Sequence, residues 1–173
     1  MKRAGTNLLL VAAVIGASII GSACSDRAAS GEIDRTAHAI DGDECAACGM
    51  IVREQPAPRA QLVHRDGERA FFCSIGDMVA YRAGPSPHGE VVATYVEVLP
   101  ADADPATNDT ARRPWMEAER AGFVLGVPRR QIMGEPVLVY STRDEAESAA
   151  TRYGGRAVEQ AELQSEILRH LQE

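Results

Sequence analysis

The chain has 173 residues, 45% of them hydrophobic and 25% charged, and a formal net charge of −7. That balance fits one compact domain or two very small ones and excludes a fibrous or wholly disordered chain. The negative charge and the isolated arginine pairs, Arg112-Arg113 and Arg129-Arg130, give no basic field for a polyanion, so nucleic acid is not an expected partner.

Lys2 and Arg3 precede an uncharged apolar run of 13 residues, Leu8 to Ile20, which ends in Gly21-Ser22-Ala23-Cys24. A run this short with a basic start reads as an export signal over residues 1–23 rather than a spanning helix. Cys24 stands where a bacterial lipoprotein carries its acylated cysteine. Ser22 and Ala23 fit that pattern, whereas Gly21 replaces the usual Leu or Val, and ordinary cleavage after Ala23 is the alternative. We favour lipidation at Cys24, where each buried methylene contributes roughly 0.8 kcal/mol of membrane attachment. The expected location is the periplasmic face of a bacterial membrane, the outer membrane slightly favoured, or otherwise the periplasm or the medium. Residues 24–42 are small, polar and aperiodic, as suits a flexible tether.

Arg59 to His64 and Glu68 to Cys73 flank Arg65-Asp66-Gly67, and a D-G pair between β-favouring runs predicts a hairpin. Ser74 then caps a helix carrying Ile75, Met78, Val79 and Arg82 at helical spacing, with Asp77 in place of the usual capping-box Glu. A strand over Val91 to Leu99 closes a first unit, 43–99, and residues 100–114 have the composition of a surface linker. Strands are expected at Gly122 to Val127 and Pro136 to Tyr140, and a helix from Ser141, its cap, to Tyr153, ended by Gly154-Gly155. A short strand over Arg156 to Val158 and an amphipathic helix from Gln160 to Glu173, with Leu163, Ile167, Leu168 and Leu171 on one face, complete the second unit, 115–173. The fold class is α+β: two small, similar strand-strand-helix units with a C-terminal amphipathic helix.

With Cys24 consumed by lipid, Cys45, Cys48 and Cys73 remain, and three thiols cannot all pair in an oxidising compartment. The residues leave three readings open. In the first, C-x-x-C is a thiol-disulfide centre, but Asp41, Asp43 and Glu44 precede it and oppose thiolate formation. In the second, Cys45, Cys48 and Cys73 hold a structural zinc with His64 or Asp77 as fourth ligand. In the third, Cys48-Gly49-Met50 sets a thiolate and a thioether around one Cu(I), a soft ion content with two or three such donors. Met133, in the turn-like segment Gln131 to Pro136, is a further thioether candidate. Cys45 is an alternative thiolate for copper, and Cys73, Met78, His88 and His64 are secondary donor candidates, with Met78 and Met116 read mainly as packing residues. No hydrolase, P-loop or dinucleotide motif occurs, so catalysis is not expected.

CGM (Cys48 to Met50), FFCSIGDMVAY (Phe71 to Tyr81), TYV (Thr94 to Val96), W-x-x-A (Trp115 to Ala118), MG (Met133-Gly134) and YGG (Tyr153 to Gly155), in this order, resemble the NosL family. These are copper-binding lipoproteins that assist assembly of the copper sites of nitrous oxide reductase. The resemblance implies a Cu(I) site on Cys48, Met50 and Met133, and delivery of copper to that enzyme outside the cytoplasm, with a membrane copper exporter as a possible source. Two positions depart from the family pattern: Cys45 adds a thiol before CGM, and Cys73 replaces a serine at the hairpin end.

Overall fold

The computed structural model describes residues 32–132 and 134–170, so the signal segment, Cys24 and Met133 lie outside the described residues. The expected hairpin forms as β1 (Ala60–His64) and β2 (Arg69–Phe72), antiparallel around the Asp66-Gly67 turn, where Gly67 takes a φ of +90°. That left-handed conformation is what a tight turn between twisted strands requires, and glycine adopts it without a Cβ clash. Helix α1 (Ile75–Ala83) follows at once, because the Ser74 hydroxyl accepts from the Asp77 amide at 3.0 Å and satisfies one of the helix's free first-turn donors.

β3 (Val91–Glu97) pairs with the other edge of β1, and β4 (Trp115–Glu117) pairs with β3, giving a four-stranded antiparallel sheet in the order β2-β1-β3-β4. This corrects the expectation that Trp115 opens the second unit: Trp115 sits opposite Glu97 and Met116 opposite Val96, in the first sheet. A short 3-10 turn, Ala118–Arg120, leads into the second sheet.

That sheet has three strands, β5 (Gly122–Leu125), β6 (Val137–Tyr140) and β7 (Arg156–Val158), in the order β6-β5-β7 and all antiparallel. β5 and β6 are apolar at every position, whereas β7 opens on the exposed Arg156, and the structure shows why. Phe123, Leu125, Val137 and Val139 face the main core, whereas Val124, Leu138 and Tyr140 face α2 (Arg143–Tyr153), so both faces are buried.

Helix α2 is capped by Thr142, not by Ser141 as the sequence suggested. The Glu145 amide donates to Thr142 Oγ1 at 3.1 Å and the Thr142 amide to Glu145 Oε2 at 3.2 Å. Only Thr142 has a Glu three residues on, and the reciprocal pair fixes the start there. Thr142→Ala is expected to cost about 1 kcal/mol, read as a shift of the urea midpoint at unchanged slope. Helix α3 (Gln160–His170) packs on α1 and β5, burying Leu163 and Ile167. The main core therefore unites Leu62, Phe72, Ile75 and Met78 of the first sheet and its helix with Phe123, Val139 and Val158 of the second. The α+β expectation holds.

Among the described residues a charged pair, Arg59 and Glu97, is buried as deeply as the core. Arg59, 1% exposed, donates from Nε and Nη2 to the two carboxylate oxygens of Glu97 at 2.6 and 2.8 Å. Its remaining donors reach the carbonyls of Arg53, Thr110 and Ala111. A bidentate pair with its spare donors satisfied is the form in which such a charge is tolerated inside a protein.

Candidate metal centre

The segment Cys45 to Met50 closes on itself. The Gly49 amide donates to the Cys45 carbonyl and the Cys45 amide to the Met50 carbonyl, both at 2.8 Å, while Glu44 and Ile51 bridge in antiparallel fashion. Gly49 has a φ of +75°, so the turn depends on a residue without a Cβ. The knuckle is pinned to β2 by a parallel bridge between Cys45 and Phe71 and by the Ala46 amide donating to the Phe71 carbonyl at 2.9 Å. Phe71 lies two residues before Cys73, and Cys73 immediately precedes the cap of α1. The turn, the strand end and the first helical turn thus bring Cys45, Cys48, Cys73 and Asp77 together.

Their ligand atoms, three Sγ and one carboxylate oxygen, all lie within 4.8 Å of one another. Cys48 Sγ is 3.2 Å from Cys73 Sγ, Cys45 Sγ is 3.9 Å from Asp77 Oδ2, and the Cys73 amide points at Cys45 Sγ at 3.5 Å. Cys45 and Cys73 are each 3% exposed, whereas Cys48 is open to solvent. The Cys73 thiol donating to Cys45, helped by backbone amides, holds the Cys45 thiol down at about 4 against the opposing effect of burial. Cys73 is pushed up, first by the same shared proton and then by burial. Burial also raises Cys48, and burial followed by the charge on Cys45 raises Asp77. The first thiolate therefore forms at Cys45, and a soft cation that displaces the other protons gains up to three sulfur donors at once.

A model of the NosL family matches residues 37–168, about three quarters of the chain. The chain belongs to the NosL family. It is 33% identical over 119 residues to the copper-binding lipoprotein NosL of Achromobacter cycloclastes and 27% identical over 136 residues to that of Stutzerimonas stutzeri. Those alignments cover 67% and 74% of this chain, which spans 61% and 65% of the length of the two relatives. The crystal structure of the copper chaperone NosL from Shewanella denitrificans superposes with a TM-score of 0.62 at 28% identity, covering 74% of this chain and 95% of that one.

The sequence of this NosL-family chain suggested further donors besides these four residues. Met50 is half-buried and packs on the edge of the main core beside the knuckle. Met133 lies outside the described residues. The segment that follows it lies against the cluster: a Cβ on Gly134 would stand 3.2 Å from Asp77 Oδ1, and one on Gly76 would collide with the Glu135 backbone at 2.8 Å. Met78 is 2% exposed in the core.

His64 and His88 sit elsewhere. Ala60, at the start of β1, pairs with Phe72 beside Cys73, and His64 is four residues along the strand, roughly 13 Å away at 3.3 Å per residue. There the His64 ring, fully buried, meets the Gly89 carbonyl at 3.2 Å and lies 5.6 Å from the His88 ring, which pairs with Asp66. Asp77, read from the sequence as a capping residue and as an alternative fourth zinc ligand, stands within the cluster. The signal was there, because Ser74-x-x-Asp77 places it in the first turn beside whatever precedes the cap.

Proposed function

We propose that this chain is an exported Cu(I)-binding chaperone without catalytic activity, which passes copper to an extracytoplasmic copper enzyme, nitrous oxide reductase by the family resemblance. A membrane copper exporter is the proposed source, and a lipid on Cys24 holds the chain at the periplasmic face of the membrane. Among the described residues no helix is long and apolar enough to cross a membrane. The observation that carries the proposal is the convergence of three thiols, of which only Cys48 is exposed. The relatives' names, copper-binding lipoprotein and copper chaperone, support it.

The buried Cys45 and Cys73 supply donors shielded from competing water, while Cys48 presents a sulfur that an acceptor's ligand approaches from solvent. Met50 and Met133 are the proposed thioether donors. Two or three soft donors satisfy Cu(I), and a partly open shell permits exchange through a shared intermediate. Asp77 is a hard ligand ill-suited to Cu(I), and its place is to take up or release a proton as the neighbouring thiols change charge.

Anaerobic titration of the reduced chain with Cu(I) against a chelator is expected to show one tightly held ion, weakened by Met133→Leu. The carboxylate in a knuckle-hairpin-helix arrangement favours zinc as the second reading, and a chain that isolates with zinc and unfolds on its removal overturns the copper proposal.

The proton count gives a further check. Cys45 is already a thiolate at pH 7, whereas Cys48 and Cys73 have raised values and stay protonated, so copper must displace their protons. Raising the pH favours that displacement. Apparent affinity between pH 6 and 8 is expected to rise about tenfold per unit if Cys48 joins Cys45, and about a hundredfold if Cys73 joins as well.

A further inference from the structure

The three sulfurs differ in what they can meet. Cys48 is exposed, whereas Cys45 and Cys73 are 3% exposed, so a disulfide arriving from solvent reaches Cys48 first. The sulfur in contact with Cys48 is Cys73, at 3.2 Å, across 24 intervening residues. A disulfide requires an S–S distance of about 2.05 Å, so these two atoms need to close by only about 1.1 Å. Cys45, next to Cys48 in the C-x-x-C motif, lies within 4.8 Å of it as well, and its sulfur also meets the Cys73 amide and Asp77.

We infer that Cys48 and Cys73 form a disulfide by exchange with an external disulfide, and that this bond closes the copper site. The closure rests on the copper-binding reading above, whereas the pairing does not. In the first step Cys48, after losing its proton to solvent, attacks an incoming disulfide R–S–S–R, forming Cys48–S–S–R and expelling one R–S⁻. In the second Cys73, deprotonated in turn, attacks Cys48 Sγ and expels the other. The two thiol protons end on the two expelled thiolates, so the protein dithiol is oxidised and one R–S–S–R is reduced to two R–SH. Cys45 is then the one thiolate left, and the neutral thioethers of Met50 and Met133 do not replace the charge of the two lost thiolates, so Cu(I) is held far more weakly. Loading is thereby restricted to the reduced chain, in a compartment where disulfide donors are common.

The test uses the full chain carrying Cys24→Ser, copper-free and reduced, treated with glutathione disulfide, alkylated in acid and mapped by peptide mass spectrometry. The expected product is a Cys48–Cys73 cross-link with Cys45 alkylated. Cys73→Ser is expected to stall with glutathione on Cys48, and prior Cu(I) loading to slow the reaction at least tenfold. The cross-linked chain should bind Cu(I) at least a hundredfold more weakly and recover when reduced with a phosphine. A Cys45–Cys48 cross-link, or a lasting mixed disulfide on Cys48 in the unsubstituted site, overturns the pairing. A cross-linked chain that binds Cu(I) as tightly as the reduced one overturns the closure. A reduced chain that cross-links as expected but never binds Cu(I) overturns the copper reading and leaves the pairing intact.

Discussion

Cys48→Ala is expected to weaken Cu(I) binding at least a hundredfold while leaving the unfolding free energy within about 0.5 kcal/mol of the parent. The two halves of this expectation come from one observation, the exposure of Cys48 amid buried partners. Its side chain contributes little apolar burial, so its loss leaves the core unchanged. The turn that carries it is held by backbone hydrogen bonds and by Gly49, none of which involves the sulfur. A hundredfold loss corresponds to about 2.7 kcal/mol, appropriate for removing one of few soft donors rather than a residue of the outer shell. Cys73→Ala separates the two effects, because that side chain is buried in the main core and its truncation should lower stability as well as affinity. Chelator competition and urea unfolding on the same preparations provide both readouts. A Cys48→Ala chain that holds Cu(I) at parental affinity would remove Cys48 from the site altogether.

The larger effect on stability is expected at Glu97. Glu97→Ala should cost about 3–5 kcal/mol, because it leaves the Arg59 guanidinium charged and unpaired at 1% exposure. That is a large share of what a domain of this size has to lose. Replacing both partners, as Arg59→Met with Glu97→Met, removes the stranded charge and should recover part of the loss. Recovery stays incomplete because the carbonyls of Arg53, Thr110 and Ala111 lose their donor, each worth about 1 kcal/mol. Urea unfolding of the three variants tests the order: parent most stable, double variant next, Glu97→Ala least. A double variant less stable than Glu97→Ala would mean that the guanidinium's bonds to the carbonyls outweigh its charge.

What could be read in advance follows the range over which each signal acts. The Asp66-Gly67 turn, the Ser74 cap and the left-handed Gly154 stop are written within four or five residues, and the elements they bound lie where expected. The Thr142 cap was also legible, had Glu145 been weighed against the mere presence of Ser141. β4 was not, since three residues of strand after a polar connection carry no period, and they become a strand only because Val96 and its neighbours offer an open edge. The candidate site divides in the same way. Cys48-Gly49-Met50 stands out locally. The approach of Cys48 to Cys73 is decided by the bridge between Cys45 and Phe71, a parallel contact over 26 positions that no local pattern announces. The separation of His64 from the cysteines could have been counted from the sequence, because five extended residues place the two ends of β1 far apart.

The fastening of residues 109–111 bears on how far the chain can be cut or spliced. Their composition is that of a spacer, yet Ala57 donates to the Asp109 carbonyl and Arg59 grips those of Thr110 and Ala111. Leu62, Phe72 and Met78, moreover, find part of their apolar surroundings in Phe123, Val139 and Ile167 from beyond that stretch. A gene divided there would yield two fragments with raw oily faces rather than two modules, and the cysteine pocket would be lost with them. Extra sequence is better placed before residue 109, at the exposed Ala101-Asp102 bend, than after it.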